Sequence, residues 1–232
     1  WMSNDLRSSY EFCEAITSID GCTPEQMAYL EDYAEKHKEN NSQAGVLAAI
    51  FASKKENPNA EAIIASLDTI IEADATHVWA NYYRGFLTLS LQENIPGAIP
   101  YLKLAADKGN RYACFEYAGC LESSKKHGAA KDYFTKAANQ DHAESLYALA
   151  LKADNQKDYE TSFNLYKRAT ELGHPDATLQ LARHYQTGVS GRNSQTKASY
   201  FYNLAVLRKN TDAMDYYGNY LILDSTATAC LY

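Results

Sequence analysis

Residues 177–205 read ATLQLARHYQTGVSGRNSQTKASYFYNLA, and this stretch decides the fold. Its first half sets the small residues Ala177 and Ala182 five apart, with Leu181 and Tyr185 beside them at helical spacing. Gly188 to Gly191 interrupts the pattern as a loop joining two helices. The second half sets Ala198, Tyr202 and Ala205 at offsets of none, four and seven, so small, large and small share one helix face. A neighbouring helix backbone can approach such a face closely. The unit is a helix hairpin built to pack against copies of itself.

Copies run along the chain. Ala44, Ala80, Ala113, Ala143, Ala177 and Ala213 recur at gaps of 30 to 36 residues, followed five residues later by Ala49, Gly85, Ala118, Ala148, Ala182 and Gly218. These mark the first helix of each unit, helix A. The second, helix B, carries its own ladder: Ala65, Ala98, Ala130, Ser162 and Ala198, then Thr69, Leu102, Phe134, Tyr166 and Tyr202, then Glu72, Ala105, Ala137, Ala169 and Ala205. Tyr133, Phe134, Tyr166, Phe201 and Tyr202 are read as core. One hairpin alone cannot bury its apolar face, so neighbours must stack. No alternating β-branched runs signal strands. The expected fold is all-α, a right-handed superhelical solenoid of antiparallel helix pairs over residues 43–232 with an incomplete last unit. Residues 1–42 precede it as a helical lead-in or cap.

Local signals support the helix boundaries. Thr23-Pro24-Glu25-Gln26 predicts a capping box with Pro at the first helical position, and the polar stretch Lys36 to Ser42 is a hinge candidate. Asn57-Pro58 is expected to open one helix B, and His174-Pro175 one helix A. Gly109 and Gly173 should close B helices in the left-handed conformation. Pro96 and Pro100 fall near one helix B start, so that helix should begin late or bend at Pro100.

Lys and Arg total 22 against 29 Asp and Glu, a net charge of -7, and no basic stripe stands out, so nucleic acid and anionic membrane are poor partners. The five cysteines form no CxxC pair, and buried free thiols are the expected state, with Cys114 and Cys120 on nearly opposite sides of one helix. No charged start followed by an apolar run opens the chain, and no segment approaches membrane-spanning length, so membrane insertion is not expected. The compartment reading is cytoplasmic, with a removed signal peptide left open. The six histidines are scattered without HExxH or His-carboxylate pairing, and no GxSxG, Walker or dinucleotide motif occurs. The chain is therefore read as no enzyme, with no metal and no cofactor.

The quoted stretch resembles Sel-one-like repeats, a subclass of tetratricopeptide-type repeats: Ala177, Leu181, Ala182, Tyr185, Gly188, Lys197-Ala198, Phe201-Tyr202 and Ala205 follow its pattern. Asn110 to Ala138 is similar but short in the loop, and Asn81-Tyr82-Tyr83-Arg84-Gly85 resembles the ordinary tetratricopeptide helix A. The loop glycines are missing from most units. The resemblance implies a binding scaffold without catalytic residues, of the kind found in bacteria among adaptors, host-interaction factors and neutralisers of toxins.

In such stacks the A helices line the concave side. The register places Trp79, Tyr82, Phe86 and Leu89 outward, then Tyr112, Phe115 and Glu122, then Leu149 and Lys152, then Asp176, Arg183 and Gln186, and last Asp212, Asp215 and Asn219. This surface runs from aromatic to charged. The aromatics suit a peptide or helix laid in a groove, and Arg183 suits a carboxylate. The expected function is a scaffold binding a peptide, helix or protein partner on this face. The alternative is a dedicated inhibitor or immunity protein neutralising a toxin or enzyme by occlusion. The last unit lacks a normal helix B, so this end is read as truncated or frayed, with self-association through the C-terminal edge as the alternative.

Overall fold

The computed structural model describes residues 23–214. The described residues hold eleven named helices and no strand: α1 (Pro24–His37), α2 (Ser42–Ser53), α3 (Ala60–Ala73), α4 (Val78–Gln92), α5 (Ile95–Asp107), α6 (Arg111–Ser123), α7 (His127–Ala138), α8 (Ala143–Asn155), α9 (Tyr159–Glu171), α10 (Pro175–Thr187) and α11 (Gln195–Leu207). A further helix begins at residues 211–214. The chain divides into two compact units, Trp1–Lys125 and Lys126–Tyr232. In the first, consecutive helices from α1 through to α6 pack pairwise, and the A helices α2, α4 and α6 also touch one another in turn. In the second, each of α7 to α11 packs on the next. The fold is all-α, built from helix pairs in sequence.

The caps explain why the pairs repeat. Every A helix opens on Asn or His, whose side chain accepts the backbone N–H three residues on: Asn41 from Ala44 at 3.2 Å, His77 from Ala80 at 3.1 Å, Asn110 from Ala113 at 2.8 Å, His142 from Ser145 at 3.3 Å, His174 from Ala177 at 3.2 Å and Asn210 from Ala213 at 2.7 Å. The residue receiving this bond is in every case small and fully buried. One local motif thus both starts the helix and sets its packing face.

That motif corrects one register. In α8 the packing mark is Ser145 with Ala150, both fully buried, whereas Ala143 and Ala148 are only half-buried. The marks at 44, 80, 113, 145, 177 and 213 are then spaced by 36, 33, 32, 32 and 36 residues. Ala150→Leu should accordingly cost about 2 kcal/mol by overpacking, and Ala148→Leu less than about 1 kcal/mol, read from urea unfolding midpoints.

The B ladder also shifts in its first unit. Its buried face in α3 is Ile63 and Leu67 with half-buried Ile70, two residues away from the expected Ala65, Thr69 and Glu72, all of which are exposed. Elsewhere the ladder stands: Ala98, Leu102 and Ala105, Ala130, Phe134 and Ala137, Ser162, Tyr166 and Ala169, and Ala198, Tyr202 and Ala205 are all buried. Of the residues read as core, Tyr133 and Phe201 are half-buried.

Boundaries mostly follow the local chemistry. Thr23 and Gln26 form the capping box, and Pro175 opens α10 behind its His174 cap. α3 instead starts after Asn59, which caps Ala62, rather than at Asn57. α5 does not begin late: Asn94 caps it, Pro96 sits in its first turn where no N–H partner is needed, and Pro100 lies inside. Gly109 and Gly173 close B helices at φ of 92° and 95°, while Asp141 and Lys209 take the equivalent left-handed place at 54° and 61°. In the loops from helix A to helix B, Glu93, Lys125 and Lys157 take the left-handed conformation at φ of 52°, 58° and 62° where Gly188 takes it at 71°, so those loops carry no glycine. Cys114 and Cys120 are buried thiols, Cys114 donating to the carbonyl of Ala106 at 3.5 Å; the other cysteines lie outside the described residues.

Candidate partner-binding face

The outward face of each A helix comprises the residues one before and two, six and nine after its small mark. In α4 these are Trp79, Tyr82, Phe86 and Leu89. The start of α4 is fixed by Asn81, which is buried and donates from Nδ2 to the carbonyls of Ala75 at 3.1 Å and His77 at 3.0 Å. Arg84 ties the same helix to α3 through Asp68 at 2.7 Å and lies 4.6 Å over the Tyr101 ring of α5. This bracing sets the direction in which the α4 aromatics point.

Trp79 and Tyr82 are not exposed as expected: only 4% and 6% of their surfaces reach solvent. The reason is that α4 and α6 adjoin, and the rings fill the space between them. Ring centroids of Trp79 and Tyr82 stand 5.9 Å and 6.0 Å from that of Tyr112, and Tyr82 lies 5.8 Å from Phe86. The structure thus brings together four of the named residues, Trp79, Tyr82, Phe86 and Tyr112, in one aromatic cluster. Phe86 and Tyr112 remain half-exposed at its edge. Arg111 holds Tyr112 there, donating from Nη2 to the phenol oxygen at 3.0 Å. Ile50, Lys54, Tyr82, Phe86, Leu91 and Tyr112 wall a cavity of about 400 Å³ beside the cluster. Phe115 and Glu122 lie further along α6, half-exposed.

A larger cavity, about 830 Å³, escapes sequence reasoning and lies among α1, α2 and α3. Gly45, Ala49, Ala52 and Ala62 line it with Ile63 and Ile70. Small side chains leave it broad, and Glu35, Lys38, Glu39 and Asp74 add charged groups to its walls. The aromatic cavity, though smaller, offers large flat faces and ring edges, which bury area at low entropic cost.

In the second unit the corrected register moves the α8 face to Glu144, Tyr147, Leu151 and Asp154. Leu149 is half-buried against the core of the unit, alongside Tyr147 and Leu151, and Lys152 reaches back over the Phe134 ring of α7 at 4.6 Å. Tyr147 is the residue that sequence reasoning missed. Its ring stacks on His174 at 4.5 Å. Burial pushes its phenol up, the Asp176 and Asp212 carboxylates add to this, and Gln180 and Arg183 act against it. Arg183 and Asp212 are both exposed, and with Asp176 they act electrostatically on this one tyrosine. Asp215 lies outside the described residues.

Asp154 faces a buried polar knot. Its Oδ1 accepts from Ser162 Oγ at 3.1 Å and stands 3.1 Å from His184 Nε2. The Asp154 carboxylate joins α8 to α9 and α10, and it explains how a unit with so polar an outward face still has a fixed core. Among the described residues no group of three His, Cys, Asp or Glu is placed to hold a metal ion, and no helix is long and apolar enough to cross a membrane.

Serial antiparallel helix pairs with buried small marks define a helix-hairpin repeat protein. Solved structures give the fold: it is that of Sel1-like and tetratricopeptide repeat proteins. No family model matches the chain, and neither does any curated protein. A Sel1 repeat protein from Oxalobacter formigenes superposes with a TM-score of 0.71 at 18% identity, over 80% of this chain and 57% of that one. The chain thus spans a little over half the length of that protein. The immunity protein Pa5087 from Pseudomonas aeruginosa matches with a TM-score of 0.58 at 16% identity, over 90% of this chain and 83% of its own. YrrB, a tetratricopeptide repeat protein with an unusual peptide-binding site, matches with a TM-score of 0.51 at 18% identity, over 82% of this chain and 99% of its own.

Proposed function

We propose that this protein is a protein-interaction scaffold that performs no reaction and takes a partner's peptide segment on the A-helix face of its first unit. The observation that carries the reading is the cavity of about 400 Å³ edged by Phe86 and Tyr112. Its walls are mainly apolar and aromatic, with Ser53, Ser90 and one charged residue, Lys54, so it suits a bulky apolar or aromatic side chain from the partner. Arg183, with its planar fork exposed, offers a separate contact to a carboxylate in the second unit.

A phage-displayed library of random linear peptides selected on the full chain tests this. Enriched peptides should carry a bulky apolar or aromatic anchor. Phe86→Ala with Tyr112→Ala should weaken them by about 2 kcal/mol, roughly thirtyfold. Undiminished binding to that double variant refutes the assignment.

A second reading is that the chain occludes one dedicated protein. It is favoured by the likeness to an immunity protein, which runs over most of both chains. A single protein co-purifying one-to-one supports this version; several weak peptide partners support the general scaffold.

A further inference from the structure

We propose that His77 and His174 make the starts of α4 and α10 acid-labile, because each imidazole caps its helix only while Nδ1 carries no proton. The Nδ1 of His77 accepts from Ala80 N at 3.1 Å, and that of His174 from Ala177 N at 3.2 Å. A proton on that nitrogen would face another donor, ending the cap, and would put a cation at the positive end of the helix dipole.

The neighbours oppose this only in part. His77 faces the Asp74 carboxylate. His174 faces Glu144 from α8 and Asp176 from its own helix, and stacks on the Tyr147 ring. Burial still holds both imidazoles below their ordinary range, with those carboxylates acting the other way.

His142 caps α8 in the same position but is not part of the device. Its Nδ1 also has Ser145 Oγ at 3.0 Å, which can accept once the ring is charged, and Glu144 stands 3.5 Å from Nε2. The remaining A helices are capped by Asn41, Asn110 and Asn210, which do not titrate.

The sign follows from linkage. His77 and His174 bind protons more readily in the unfolded chain, so stability is complete above about pH 6.5 and declines as the pH falls through and below that value. His184, also held low by burial against the opposing Asp154, adds a decline in the same direction. The informative quantity is therefore the difference between parent and capped variant.

Thermal unfolding of the full chain at about pH 7.5 and about pH 5.5, for the parent and for His77→Asn with His174→Asn, tests the proposal. Asn keeps the cap, as it does in the sister helices. The parent's midpoint should fall further than the variant's by roughly 3 °C or more. Equal falls overturn the proposal. NMR titration of the two rings in the parent provides the second measurement: midpoints below about 6.5 support it, and midpoints at or above that value overturn it.

Discussion

Gly85→Ala is expected to destabilise the protein by about 2 kcal/mol, the opposite sign to the usual effect of replacing a mid-helix glycine. A Cβ at Gly85 would lie 2.6 Å from Leu102 Cγ and 3.2 Å from the carbonyl oxygen of Ala98. Leu102 is fully buried on α5, so it has no free space to enter. Gly119, inside α6, has nothing within 4 Å of the same position. Gly119→Ala should therefore stabilise by up to about 1 kcal/mol through helix propensity alone. Urea unfolding of the two variants separates the effects: destabilisation at 85 with stabilisation at 119 is the expected pair. Stabilisation at both would mean that α4 and α5 do not meet at Gly85.

Tyr166→Ala should cost about 4 kcal/mol, the largest single loss in the second unit. Tyr166 has no solvent exposure and packs with Phe163, Ala169 and Leu181. Its ring centroid stands 5.4 Å from His184 and 6.0 Å from Tyr147. The hydroxyl is buried beside the Asp154 carboxylate without closing a hydrogen bond of ordinary geometry, and burial and then that carboxylate push the phenol's acidity down. Removing only the hydroxyl should therefore change little: Tyr166→Phe stays within about 1 kcal/mol of the parent. A large loss in Tyr166→Phe would instead assign the stability to the polar knot rather than to the ring.

These two residues were legible as packing positions because size is written in the sequence. Gly85 stands five after Ala80, and Tyr166 stands between Ser162 and Ala169, each at the spacing of one helix face. In α8, spacing alone had two solutions, since Ala143 with Ala148 and Ser145 with Ala150 are both five apart. Burial chose the second. A signal that would have chosen it is His142, three before Ser145, matching Asn41, His77, Asn110, His174 and Asn210 before their own marks. In α3 the expected small residue is replaced by Ile63, and Ala65, two residues on, is exposed.

The candidate face was less legible for a physical reason. A sequence gives the angle of a side chain about its helix axis but not how near the next helix lies. Trp79 and Tyr82 point outward from α4 and are still covered, because Tyr112 of α6 closes over them. Phe86, one turn further on from Tyr82, keeps part of its ring open to the cavity.

The most direct test of the account is chemical-shift mapping of the full chain with a peptide selected from the random library. The account predicts that the largest perturbations fall on Ile50, Phe86, Leu91 and Tyr112. Perturbations centred instead on outward B-helix residues such as Tyr200 and Leu207, both of which are exposed, would contradict it.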